Sequence, residues 1–280
     1  MKDLYLYLLP CSWLEDTDVT TRPFIFSTIT IAAVVYALVF FIVCIVSFFL
    51  ERFRALNGMD RFTWWAKGTK IFYCPIPIFT GLWYLLVDDT LKDDVVNGTS
   101  KTAFVAIYIH VGFNLFDSIL MAVGKLLYGN RFSTALFIHH FAILNLYSVA
   151  TYYNGKGQYL SLLGFIEEMA GPLFYANWML AKARLTHLSI WRVNQQISVY
   201  LWYFQSMLEI YFFYIVIRNW SHIWKELPLP LLITASFSVL LMSFGLNPHW
   251  TKAEAKRLYR LYGRKISFYY KTLRKNLNKT

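Results

Sequence analysis

Apolar residues in this chain run in long blocks, without the strict alternation of a half-buried strand. Seven blocks approach the roughly 20 residues that carry a helix across a bilayer: 24–50, 71–87, 103–124, 132–153, 158–181, 195–217 and 229–246. The second and seventh are short, and the fifth contains Glu167 and Glu168. Pro75 and Pro77 predict a kink in the second block, and Gly171-Pro172 one in the fifth. Short connections such as Asn154-Gly155-Lys156-Gly157 make neighbouring helices antiparallel. The pattern therefore predicts an all-α fold, a polytopic membrane helical bundle of about seven transmembrane helices. It reads as a short lumenal N-terminus (1–23), a transmembrane domain (24–250) and a basic cytosolic tail (251–280). The apolar piece at residues 4–9 is too short for a cleavable signal, so the first span is expected to act as a signal anchor.

Composition agrees with the bilayer as solvent. Of 280 residues, 57% are hydrophobic, 19% aromatic and 15% charged, whereas soluble domains carry about 25% charge. Cys11, Cys44 and Cys74 form no disulfide framework. A net charge of +11 would suggest nucleic acid in a soluble protein; here the basic residues answer first to topology, and no nucleic-acid partner is expected. With a lumenal N-terminus, the cytosolic segments 51–70, 125–131, 182–192 and 247–280 hold 20 of the 27 Lys and Arg residues, as the positive-inside rule requires. Two sequons, at Asn97 and Asn219, fall on the lumenal side as glycosylation candidates. Between Lys252 and Lys279, ten basic residues alternate with Leu and Tyr. That composition suits anionic lipid headgroups or simply sets topology.

Ionisable groups inside spans are costly, so each is a functional candidate. His110, Asn114 and Asp117 lie at i, i+4 and i+7, on one face of the third span. His139 and His140 are adjacent on the fourth, with Tyr147 seven residues beyond His140. Ser161, Gly164, Glu168 and Gly171 form a stripe on the fifth; Gln195, Ser198, Trp202, Gln205 and Glu209 form one on the sixth. At 1.5 Å rise per residue, Asp117 and the histidine pair both sit roughly 11 Å into the membrane from the cytosol, so carboxylate and imidazoles can meet. His110, Asn114, Tyr147, Gln195, Gln205 and Glu209 are expected to line the shared cavity. Interhelical glue is the bland account, and it suits Asn114, Ser161, Ser198 and Gln205 best. Two imidazoles with Asp117 and Glu168 exceed what packing requires. No metal site is expected, because adjacent histidines on a helix splay apart.

These residues carry a resemblance. Phe137-Ile138-His139-His140, then Glu168-Met169, Pro172 and Asn177-Trp178-Met179-Leu180 resemble the TLC-domain family, shared by ceramide synthases and related endoplasmic-reticulum proteins. Gly112 to Asp117, Asn194-Gln195 and Asn247-Pro248 with Trp250-Thr251 extend it from about residue 24 to 251. Asp117 stands where the family pattern leads one to expect glutamate. The acidic run that follows the histidine pair in ceramide synthases is missing here, which argues against ceramide synthesis.

The resemblance implies an endoplasmic-reticulum membrane protein of lipid metabolism that cycles to the ER-Golgi intermediate compartment, although the chain end Asn276-Leu277-Asn278-Lys279-Thr280 lacks a dilysine retrieval signal. It implies an acyltransferase passing a chain to a lysophospholipid or similar lipid hydroxyl, with acyl-CoA or a phospholipid as donor and no resident cofactor. His140 is the expected base or nucleophile and His139 the neighbour that stabilises developing charge; Asp117 orients an imidazole and Glu168 donates a hydrogen bond. The alternative is a cargo receptor exporting lysosomal enzymes, with membrane lipids, such cargo and the ER-to-Golgi machinery as partners. It would use the loops 88–102 and 218–228. A lipid sensor without chemistry is the third reading.

Overall fold

The computed structural model describes Leu14, residues 16–129 and residues 134–259. Cys11 and the tail beyond Tyr259 therefore lie outside the described residues. Among the described residues every regular element is helical. Five helices are long and apolar enough to cross a membrane, so the chain is a helical membrane bundle. The chain divides into two compact units, Met1–Ser236 and Phe237–Thr280.

Helix α1 (Arg22–Phe48) starts at a proline in its first turn, where the missing amide costs nothing. Only Ala32, Tyr36 and Ser47 of it are buried; Ile31, Leu38, Phe41 and Ile45 point outward, as lipid-facing side chains do. Short α2 (Glu51–Arg54) leads to α3 (Gly58–Tyr73). The α3 cap is reciprocal: Asn57 Oδ1 accepts from the Asp60 amide at 2.9 Å, and Asn57 Nδ2 donates to Asp60 Oδ2 at 3.0 Å. At Cys74 the helix gives way to α4 (Pro75–Leu86), because Pro75 and Pro77 bring no amides to the ladder. The second predicted span is thus the end of one helix and all of the next.

Helix α5 (Lys101–Tyr128) is the centre of the first unit, with 67% of its apolar window buried. Its closest neighbour is α1, at Gly112. A Cβ built there would meet the Ala32 Cβ at 2.7 Å and the Ala33 amide nitrogen at 3.2 Å. Gly112→Ala is expected to destabilise the protein by about 1–3 kcal/mol through overpacking. Thermal unfolding in micelles checks this, and an unchanged midpoint would refute the close contact.

Helix α6 (Thr134–Tyr152) turns through Asn154 (φ 52°), Gly155 (φ 66°) and Gly157 (φ 76°) into α7 (Gln158–Phe165). The fifth predicted span is broken. After α7 come a 3₁₀ segment (Ile166–Ala170) and then α8 (Gly171–Lys182), with Pro172 in its first turn. Gly81 of α4 lets this segment approach: a Cβ there would lie 2.7 Å from both Ile166 Cγ1 and the Leu162 carbonyl. Helices α9 (Ser189–Arg218) and α10 (Trp220–Glu226) follow. The seven expected spans are thus five continuous helices and two broken ones. In the second unit, the last turn of α11 (Leu229–Leu240) passes into a π-helical segment (Leu241–Leu246) and α12 (Asn247–Leu258).

The loop between α4 and α5 is built on Asp94. Its Oδ1 accepts from the amides of Val96 (3.0 Å) and Asn97 (2.9 Å) and meets His222 Nε2 at 3.0 Å. Burial pushes this carboxyl up, but hydrogen bonds from Asn97, His222 and Val96 outweigh it and hold the group well below the usual carboxylate range. A depressed folded-state value stabilises the loop above the ordinary value near 4, and that contribution is lost as pH falls through the folded-state value. Protection of the Val96 and Asn97 amides from hydrogen exchange should hold from pH 7 to about 5 and fail only below about 4. Loss near pH 6 would contradict this.

Candidate functional site

Three helices bring opposite charges together inside the first unit. Lys70 lies in the last turn of α3, Asp117 on the buried face of α5, and His140 on the inner side of α6. Lys70 is 3% exposed, Asp117 1% and His140 4%. Lys70 Nζ stands 3.0 Å from Asp117 Oδ2 and 2.9 Å from His140 Nε2. The same carboxylate oxygen is 3.1 Å from His140 Nδ1. Neither approach to Oδ2 is aligned as a hydrogen bond, since Oδ2 and Nδ1 both lack an aligned partner among the described residues. The carboxylate therefore acts on Lys70 and His140 as a charge at short range. The ammonium can only donate, so Nε2 accepts from it and the ring proton is assigned to Nδ1, facing Asp117.

The sequence places Asp117 and the histidine pair together, and the structure brings His140 of that pair into contact with Asp117. His139 is half-buried, its ring 4.9 Å from that of His140. Lys70, counted with the basic residues of the segment 51–70, is buried and ion-paired to Asp117. The long apolar stem of lysine permits an exposed or a buried placement, and only the partner decides.

The other expected site residues fall into separate layers. His110 is bonded through Nδ1 to the Tyr73 hydroxyl, and its ring packs 4.3 Å from Tyr147 and 4.5 Å from Phe165. Asn114 donates back to the His110 carbonyl at 2.8 Å, and the Tyr147 hydroxyl donates to the Ser161 carbonyl at 2.9 Å. Glu168 sits in the 3₁₀ segment, where the Cys74 thiol donates to its Oε2 at 3.8 Å. Asn177 donates to Ser198 Oγ at 2.9 Å, and Asn194 reaches the Leu173 carbonyl at 3.0 Å, tying α8 to α9. Gln195 and Gln205 are buried on the same face of α9, and Glu209 is half-buried there. Asn97 is exposed in its loop, whereas Asn219 closes α9 with its amide donating to the Ile215 carbonyl at 2.8 Å.

A cavity of about 340 Å³ opens beside Lys70. Its wall is formed by Lys67, Lys70, Lys182, Asp60, Tyr175 and Trp178, together with apolar residues of α3, α5 and α6. The six residues expected to line a cavity are in the packed layers just described and not in this wall. Sequence reasoning missed Lys67, Lys70 and Tyr175. The available signal was the spacing of Lys67, Lys70 and Cys74 at i, i+3 and i+7, which puts two lysines on the face that becomes buried.

The chain is 28% identical to Protein CLN8 of Canis lupus familiaris over 247 residues, covering 87% of this chain and 84% of that protein. It is 27% identical to Protein CLN8 of Rattus norvegicus over 83% of this chain and 81% of that protein. It is 26% identical to Protein CLN8 of Homo sapiens over 83% and 82%. No protein-family model and no solved structure matches the chain.

Proposed function

We propose that this chain, a CLN8-like member of the TLC-domain family, transfers an acyl chain to a lipid hydroxyl in the endoplasmic-reticulum membrane. The observation that supports this is the contact of Lys70, Asp117 and His140 beside a cavity large enough for a polar headgroup. A lysophospholipid hydroxyl entering from that side replaces the Lys70 ammonium at Nε2. His140 then takes the hydroxyl proton as general base, and the oxygen attacks the carbonyl of an acyl thioester or lipid ester. Asp117, next to Nδ1, holds the ring in the tautomer with Nε2 free and offsets the charge of the imidazolium. Lys70, once displaced, supplies the positive charge that stabilises the tetrahedral oxyanion. Collapse expels the thiolate or alkoxide, which takes the proton back from Nε2. Glu168 is a neighbouring acid engaged by Cys74.

Lipid profiles of cells carrying His139→Ala with His140→Ala test the reaction. An acylated product should disappear while the protein is still made and inserted. Export of lysosomal enzymes failing while that product persists would end the catalytic reading.

One observation favours the cargo-receptor reading. The loop 88–100, short by itself, is joined to α10 through Asp94–His222 (3.0 Å) and to the α6–α7 turn through the Gly157 amide on the Val96 carbonyl (2.7 Å). On this reading the three linked segments face the lumen and act together as the docking surface. Charge reversal at Asp88 and Asp89 should weaken cargo capture on that reading; unaltered capture removes it.

A further inference from the structure

The wall of the 340 Å³ cavity is cationic and aromatic at once. Lys182 is held by Asp60 at 2.7 Å, and Lys70 by Asp117 at 3.0 Å. Lys67, one turn before Lys70 on the same helix face, has no carboxylate within ion-pair distance among the described residues. Its Nζ lies instead 4.9 Å from the Tyr175 ring centre and 5.5 Å from that of Trp178. Lys182 lies 5.4 Å from the Trp178 ring centre on the other side. Three lysines thus line one hollow with a single lining carboxylate, Asp60, which is engaged by Lys182, while Asp117 holds Lys70 from outside the lining. Aromatic faces stabilise a cation but cannot neutralise it, so Lys67 brings to the wall an ammonium with no ion-pair partner among the described residues. An apolar substrate gains nothing from that arrangement, whereas a phosphate supplies the missing anion and several acceptor oxygens for ammonium donors.

We infer that Lys67 and Lys182, with Tyr175 and Trp178 as walls, form a phosphate-binding subsite that seats the phosphate of a lipid substrate beside Lys70 and His140. The placement as a substrate subsite rests on the acyl-transfer reading; the phosphate preference rests on charge and geometry alone. The phosphate comes either from a nucleotide thioester donor or from a lysophospholipid acceptor. Asp60 is the gate, because it holds Lys182 until a stronger anion arrives.

Purified full-length chain in nanodiscs is titrated with palmitoyl-CoA and with fluorescent lysophosphatidylglycerol. Palmitoyl-N-acetylcysteamine and monopalmitoylglycerol serve as phosphate-free counterparts. Lys67→Met should weaken one phosphate-bearing probe about tenfold, as expected for losing a charge-assisted contact, and leave both phosphate-free probes unchanged. The probe that weakens identifies the source. Asp60→Asn, which removes a competing carboxylate without adding bulk, should tighten the same probe severalfold, so the inference stays testable if Lys67→Met fails to fold. Equal affinities of wild type, Lys67→Met and Asp60→Asn for both phosphate-bearing probes would overturn the subsite. His140→Ala separates the two ideas. Intact phosphate-probe binding with no turnover supports both; turnover retained in His140→Ala removes the reaction and leaves the subsite. A Lys67→Met variant that binds like wild type removes the subsite and leaves the reaction.

Discussion

His140→Ala is expected to lower acyl-transfer turnover about 10²- to 10⁴-fold, the usual contribution of a positioned general base, with the protein still folded. Nε2 is the ring atom that meets Lys70, at 2.9 Å, and Lys70 in turn lines the cavity, while Nδ1 is turned to Asp117 at 3.1 Å. Alanine removes the proton acceptor without leaving a carboxylate alone, because Lys70 still stands 3.0 Å from Asp117. Rate and stability therefore separate in this variant. Measured with a radiolabelled acyl donor in proteoliposomes, turnover within threefold of wild type would exclude His140 as the base, and His139 would be next to test.

Asp117→Leu has the largest expected effect on stability. It leaves the Lys70 ammonium buried without its ion-pair partner, and removing one partner of a buried pair costs about 3–5 kcal/mol. Lys70→Met strands Asp117 in the same way. The double variant Lys70→Met with Asp117→Leu replaces both charges with apolar groups of similar size and should recover most of the loss, since an isosteric apolar pair is often neutral against a buried ion pair. On the acyl-transfer proposal turnover should not recover, because the proposed oxyanion partner and the ring's orienting charge are both gone. Unfolding midpoints of wild type, the two single variants and the double variant decide the matter. Strictly additive losses would mean that the two side chains do not depend on one another.

The sequence makes the helical membrane bundle legible because the bilayer leaves few alternatives: long apolar blocks must be helices, and their lengths fix the spans. Asp117 and His140 were legible for a related reason. A carboxylate and an imidazole at equal depth on consecutive spans have few places to go except toward one another. Lys70 was not legible. A lysine at the edge of an apolar block reaches water along its stem as readily as it folds inward, and its partner Asp117 belongs to another helix. The wall of the cavity was hidden for the same reason, since Lys182 and Trp178 come from α8 and only folding sets them opposite Lys67. The stripes on α5 and α9 show the reverse case. Their polar residues do turn inward, but Asn114 bonds its own helix and Ser198 bonds Asn177 across an interface, so periodicity marks a buried face without saying whether that face holds chemistry or glue. Broken helices at Cys74 and at Ile166–Ala170 follow from Pro75 and Pro172, which the sequence displays openly.

The Lys70–Asp117–His140 contact also dictates an order of assembly during synthesis. Lys70 leaves the ribosome 47 residues ahead of Asp117 and 70 ahead of His140. At about 5–20 residues per second, the ammonium waits roughly 2–10 s for its counter-ion. Until then α3 has no apolar environment it can enter cheaply. The buried end of α3 is thus expected to reach its final packing only after α5 has been made.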